Sequence, residues 1–91
     1  MSYHFKTTDE ATKLAVWQKG QIVANYDPAV HRQDICGNWM QYDQHGKEGD
    51  YGWEIDHIFP RARGGQTTLN NLQPLWWSNN RRKSDTYPWA C

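Results

Sequence analysis

The segment spanning residues 52–85, GWEIDHIFPRARGGQTTLNNLQPLWWSNNRRKSD, constrains this chain more than any other stretch. An apolar run ends in a carboxylate and an imidazole side by side, Asp56 and His57. A loop carrying Pro60, Arg61, Arg63 and Gly64-Gly65 follows. A second apolar run, 72–75, then leads into Asn79, Asn80, Arg81, Arg82 and Lys83. Adjacent strand residues point to opposite faces, so Asp56 and His57 can serve one site only if the chain bends between them. Pro60, which cannot continue a ladder, is consistent with such a bend. These groups are the ones that metal-dependent phosphodiester hydrolysis requires: a base for water, hard oxygen ligands for a divalent cation, and fixed positive charge for phosphate.

The remaining elements follow from local signals. Thr7-x-x-Glu10 reads as a capping box, with a helix from Asp9 to Lys19 stopped by Gly20. Asp27-Pro28 reads as an N-cap and a first helical position, with a short helix to Gln33. A strand is expected over 35–42, a charged Gly-rich turn over 43–50, and a second strand of that pair over 51–58. Residues 59–71 form a long loop, and long ordered loops in small domains are usually functional. A short strand over 72–75 precedes the last helix, from Trp76 or Trp77 to Lys83.

The segment resembles the HNH endonucleases, the ββα-metal nucleases. Glu54, Asp56, His57, Pro60, Gly64, Gly65, Asn71, Leu72, Leu75, Asn80 and Lys83 fill that family's pattern in order. A weaker similarity to small stand-alone bacterial and phage HNH proteins extends back to 17–20 and 32–34. The resemblance implies a small α+β domain: a ββα-metal core over 51–85 and an N-terminal helical and strand extension over 1–50. It implies His57 as the general base, and a single divalent cation on Asp56 and Asn80. Asn71 joins the catalytic set as the residue that ties the loop behind the histidine through backbone hydrogen bonds. The family's last histidine is Asn80 here. Asn79 is the competing amide, but neighbours on a helix lie about 100° apart, so only one can face the cation. Hard oxygen ligands favour Mg²⁺, with Mn²⁺, Ni²⁺ or Zn²⁺ as alternatives.

An unperturbed imidazole, with a pKa of about 6.5, is largely neutral at about pH 7 and can take a proton from water. His4, His31 and His45 lack any such setting and read as surface or turn residues. The alternative for Asp56 is a salt bridge to Arg61 or Arg63. Arg61, Arg63, Arg81, Arg82 and Lys83 are read as phosphate contacts, a solvated charged face being the alternative. Trp39, Trp53, Trp76 and Trp77 are read as core, with base stacking as the alternative for Trp76 and Trp77.

With 91 residues the chain is read as one domain, and six tryptophans and five tyrosines supply the buried area that so small a core needs. The formal net charge is zero, but positive charge concentrates around the proposed site. Residues 1–50 hold more acids than bases; residues 51–91 hold Arg61, Arg63, Arg81, Arg82 and Lys83 against Glu54, Asp56 and Asp85. Salt-sensitive DNA affinity is expected. Many small HNH domains carry a structural zinc on two Cys-x-x-Cys knuckles, but Cys36 and Cys91 form none, so no structural zinc is expected. Two cysteines fall short of a secreted disulfide scaffold. With no signal peptide or membrane span, the expectation is a cytoplasmic protein, monomeric or weakly dimeric. The function expected is a metal-dependent DNA endonuclease. The alternatives are a nuclease for RNA or single strands, and a non-catalytic nucleic-acid-binding module.

Overall fold

The computed structural model describes residues 10–91. The Thr7 half of the expected capping box lies outside the described residues. Helix α1 runs Glu10–Trp17 and buries Val16 and Trp17. It stops where Lys19 and Gly20 donate back to the Val16 and Trp17 carbonyls. The buried Arg32 guanidinium then takes up the carbonyls of Gln18 and Gly20, each at 3.0 Å.

Two antiparallel hairpins follow. Strands β1 (His31–Gln33) and β2 (Trp39–Gln41) pair with each other. Strands β3 (Trp53–His57) and β4 (Leu72–Trp76) pair with Glu54 opposite Leu75 and Asp56 opposite Gln73. Helix α2 (Trp77–Lys83) continues directly from β4. Pro74 stands in β4 without loss because that strand has one unpaired edge.

Three local expectations are corrected. Asp27-Pro28 opens a single turn, not a helix: the Asp27 side chain accepts the Ala29 N–H, and its carbonyl accepts those of Val30 and His31. The chain then turns into strand because 31–33 pairs with 39–41. The expected strand over 35–42 shrinks to Trp39–Gln41. The Asp34 carboxylate captures the N–H groups of Cys36 and Asn38, and Gly37 takes a φ of 86°, so the backbone turns. The partner of β3 is accordingly β4, and its tie to the first hairpin is small: Gln41 donates to the Tyr51 carbonyl at 3.1 Å.

The apolar core comprises Val16, Trp17, Met40, Trp53, Ile55 and Leu72. The Trp17 ring lies 5.2 Å from Trp53 and 5.4 Å from Tyr42. Strand alternation puts Trp53, Ile55 and His57 on the face with Leu72. Glu54, Asp56, Gln73 and Leu75 share the opposite face, towards α2. The two cysteines are bonded to each other, Cα–Cα 5.5 Å, joining the 34–38 turn to residue 91. A cross-link across such a separation typically contributes about 2–4 kcal/mol. Among the described residues, no helix is long and apolar enough to cross a membrane.

Candidate nuclease site

Asp56 and His57 do not converge through a bend. The β3–β4 ladder continues through both residues, so their side chains leave on opposite faces. The expected bend is therefore corrected. Lys83 touches both residues, but reaches His57 only through its backbone. Its buried ammonium donates to Asp56 Oδ1 at 3.2 Å and to the His57 carbonyl at 2.8 Å. Gln73, opposite Asp56 in the ladder, donates to the second carboxylate oxygen at 2.9 Å. Burial raises the Asp56 pKa, while Gln73 and Lys83 pull it down. The ion-pair partner of Asp56 is thus Lys83, rather than Arg61 or Arg63.

The His57 ring reaches the loop, where Nε2 lies 2.8 Å from Thr67 Oγ1. Burial lowers its pKa, and the charges of Arg61 and Lys83 lower it further. The imidazole is therefore neutral at about pH 7. A threonine hydroxyl can donate to a neutral ring nitrogen and, after rotation, accept from a protonated one.

The loop behind the histidine is closed by Asn71. Its Oδ1 accepts the Phe59 N–H at 2.8 Å, and its Nδ2 donates to the carbonyls of Phe59 at 3.1 Å and Gln66 at 2.8 Å. Its own carbonyl accepts the Ile58 N–H at 2.8 Å. The glycine pair serves two needs: Gly64 takes a φ of 101°, and a Cβ on Gly65 would sit 1.7 Å from the Phe59 carbonyl oxygen.

On α2, Asn80 turns towards β3, donating from Nδ2 to Glu54 Oε1 at 2.7 Å. Asn79 turns the other way, towards Asp34 and Asn38. Glu54 lies two residues before Asp56 on the same strand face, so Asn80 and Asp56 share one seam between β3 and α2. The oxygen donors at this seam are the Asp56 and Glu54 carboxylates and the Asn80 carboxamide, with both Asp56 oxygens already accepting, from Lys83 and Gln73. Lys83 already neutralises part of Asp56, so a cation there would draw on further oxygens from water or phosphate. Among the described residues, no group of three or more His, Cys, Asp or Glu is arranged to hold a metal.

The expected phosphate contacts divide. Arg61 and Arg63 are exposed on a 3-10 turn just past His57, with Arg63 donating to the Tyr87 carbonyl at 2.9 Å. Arg81 is half-exposed, bridges Glu48 and Glu54 at 2.8 Å each, and lies 5.6 Å over the Trp77 ring. Arg82 is exposed and donates to Asn79 at 3.1 Å. Lys83 is buried rather than presented to solvent, because the carboxylate of Asp56 draws it inward. Trp53 is core; Trp76 and Trp77 are part-buried, and both donate their indole N–H to the Gly49 carbonyl. Sequence reasoning gave no role to Thr67, Gln73 or Asp34. Only Gln73 had a readable signal, its cross-strand register with Asp56.

Two strands, a connecting loop and a crossing helix around Asp56, His57, Asn71 and Asn80 define a ββα nuclease-type domain. The model of the HNH endonuclease family matches residues 35–86, more than half of the chain, and the chain belongs to that family. It is therefore a nuclease or nucleic-acid-binding module of a family whose nucleases use a divalent metal. Comparison with curated proteins and with solved structures gave no match.

Proposed function

We propose that the protein is a metal-dependent DNA endonuclease with His57 as its general base. The observation that carries this reading is the placement of His57. Its ring is held by Thr67 at a strand end and its pKa is lowered, beside a carboxylate that faces α2. A neutral imidazole keeps a lone pair for a proton, and Arg61 and Arg63 stand exposed on the turn just past it, where a phosphate can approach.

In this reading the attacking water displaces the Thr67 hydroxyl from His57 Nε2, and that nitrogen takes the water's proton. Asp56 and Asn80 hold one divalent ion, with Mg²⁺ the best match to oxygen donors. When bound, that ion supplies positive charge against the phosphoryl oxygens and the leaving oxygen. Arg61 and Arg63, with Arg81 and Arg82 on the helix, bind flanking phosphates; forked guanidiniums suit them. Lys83 holds the Asp56 carboxylate and the His57 backbone in register, and Asn71 keeps the loop closed behind them. The test is supercoiled plasmid incubated with Mg²⁺ and with EDTA. Nicked or linear product in Mg²⁺ alone supports the reading. Binding without cleavage under both conditions points to a non-catalytic module. Parallel RNA and single-stranded DNA substrates identify any other preference.

A further inference from the structure

We propose that Asp34 is a positioning residue for the site: it sets the rotation of α2 about its axis, and so turns Asn80 and Lys83 towards β3. This rests on the reading of Asp56 and Asn80 as the cation site. The helix has seven residues, too few to be stable alone. Its N-cap is Trp76, whose side chain makes no capping hydrogen bond. The cap comes from 42 residues away in sequence: Asp34 Oδ2 accepts the Trp76 N–H at 2.9 Å. The same oxygen accepts from Asn79 Nδ2 at 3.0 Å, and Asn79 also donates to Asn38 at 2.7 Å.

Two bonds from the N-cap and from the third helical residue to one oxygen fix a rotation, not merely a position. With Asn79 directed at the 34–38 turn, Asn80, about 100° further round, faces Glu54, and Lys83 reaches Asp56. The carboxylate can act as a fixed post because it is itself anchored. It is 1% exposed, and its Oδ1 takes the Cys36 and Asn38 N–H groups at 3.0 and 2.9 Å. The Cys36–Cys91 bond ties down the same turn. A negative charge at the start of the helix also opposes the positive end of its dipole.

The test compares wild type, Asp34→Asn, and Asp34→Asn combined with Asn79→Asp. The single change leaves one acceptor oxygen where two stood, so the amide N–H₂ faces either the Trp76 and Asn79 donors or the Cys36 and Asn38 N–H groups, donor against donor, and the post is loosened either way. The double change places a carboxylate at position 79 that can accept from the amide now at 34, and one that, at the third helical position, can reach back to the Trp76 N–H. Two readouts are taken: hydrogen-exchange protection of the Asn80 side-chain amide by NMR, and Mn²⁺ affinity by paramagnetic broadening. In Asp34→Asn the Asn80 amide should lose protection and Mn²⁺ binding should weaken about 10-fold. The double variant should recover most of both. An Asn80 amide unchanged in Asp34→Asn, with only a lower unfolding midpoint, overturns the proposal. If Asp34→Asn does not fold, Asn79→Ala, which removes the side-chain bonds to Asp34, Asn38 and Arg82 but keeps the Trp76 cap, must still deprotect Asn80; retained protection overturns it equally. A wild type without Mn²⁺ affinity sinks the cation reading alone, and the amide readout still decides the role of Asp34.

Discussion

The first hairpin, β1–β2, buries one residue per strand, Arg32 and Met40, and turns its remaining rings outward. Tyr26, His31, Trp39 and Tyr51 cluster there, with Tyr26 4.6 Å from Trp39 and His31 6.3 Å from Tyr51. The second hairpin, β3–β4, is covered on both faces: the apolar core takes one, and α2 the other. Its buried polar groups are Asp56 and His57, with Asn80 and Lys83 supplied by the helix. A buried charge is costly unless it is partnered, so every group at this seam is fixed by another. The first hairpin can lose a contact and remain a surface. The second has less latitude, because its buried polar residues depend on protein partners such as Lys83, Gln73, Thr67 and Glu54.

The largest expected effect separates the hairpins by chemistry. His57→Ala should lower plasmid cleavage by about 10²–10⁴-fold while Mn²⁺ binding persists. His31→Ala, in the first hairpin, should leave the rate unchanged. Equal losses at both positions would break the comparison. Next comes stability. Lys83→Met leaves the Asp56 charge buried without its ion partner, and denaturant unfolding should show a loss of about 3–5 kcal/mol. Arg81→Met removes ion pairs whose arginine is half-exposed, and solvent screening should hold its cost below about 1 kcal/mol.

A subtler effect concerns the cation. Asn80→His exchanges an amide oxygen for a softer nitrogen, so the ratio of cleavage rates in Ni²⁺ and Mg²⁺ should rise. Asn79→His should not raise that ratio, whatever it does to the overall rate, since a side chain at position 79 faces Asp34 and not the cation. A shift at 79 alone would put the helix register one residue off.

The smallest effect lies between the hairpins, where the half-buried His45 ring lies 4.7 Å from Trp53, tilted 57° to it. Burial lowers its pKa, Lys13 lowers it further, and Glu54 and Glu10 oppose the shift. The unfolded chain, with a pKa of about 6.5, therefore binds this proton first as pH falls. Stability should be flat above that value and should decline as pH drops through the lower folded value. His57, shifted in the same direction, contributes with the same sign. His45→Gln should flatten part of the slope below about pH 6.5 in denaturant titrations; an unaltered slope would show that the ring is not desolvated.

The segment from Trp53 to Lys83 was largely legible because its signals are local. Apolar runs set β3 and β4, a proline and two glycines set the loop, and the spacing Asn71–Asn80–Lys83 put the helix in register. The Asn71 hydrogen bonds follow the pattern that the family resemblance implies. The N-terminal half read less well. Asp27-Pro28 suggested a helix where pairing with 39–41 made a strand, and 35–38 suggested a strand where the Asp34 side chain made a turn. In both places a short local preference worth a fraction of a kcal/mol met a competing hydrogen-bonding partner, and the partner won.

The sequence by itself determined the family and the α+β class, and it named the carboxylate, imidazole and amides on which the proposed site rests, because residue type and spacing carry that information directly. Only the tertiary structure decided who holds them. Lys83 turned inward to Asp56, Gln73 and Thr67 joined as partners, Cys36 met Cys91, and Asp34 capped a helix more than forty residues away. The physical reason is burial. A charged or polar side chain chooses its partner only when water is excluded, and which side chains lose water together is a property of the packed chain rather than of any stretch of sequence.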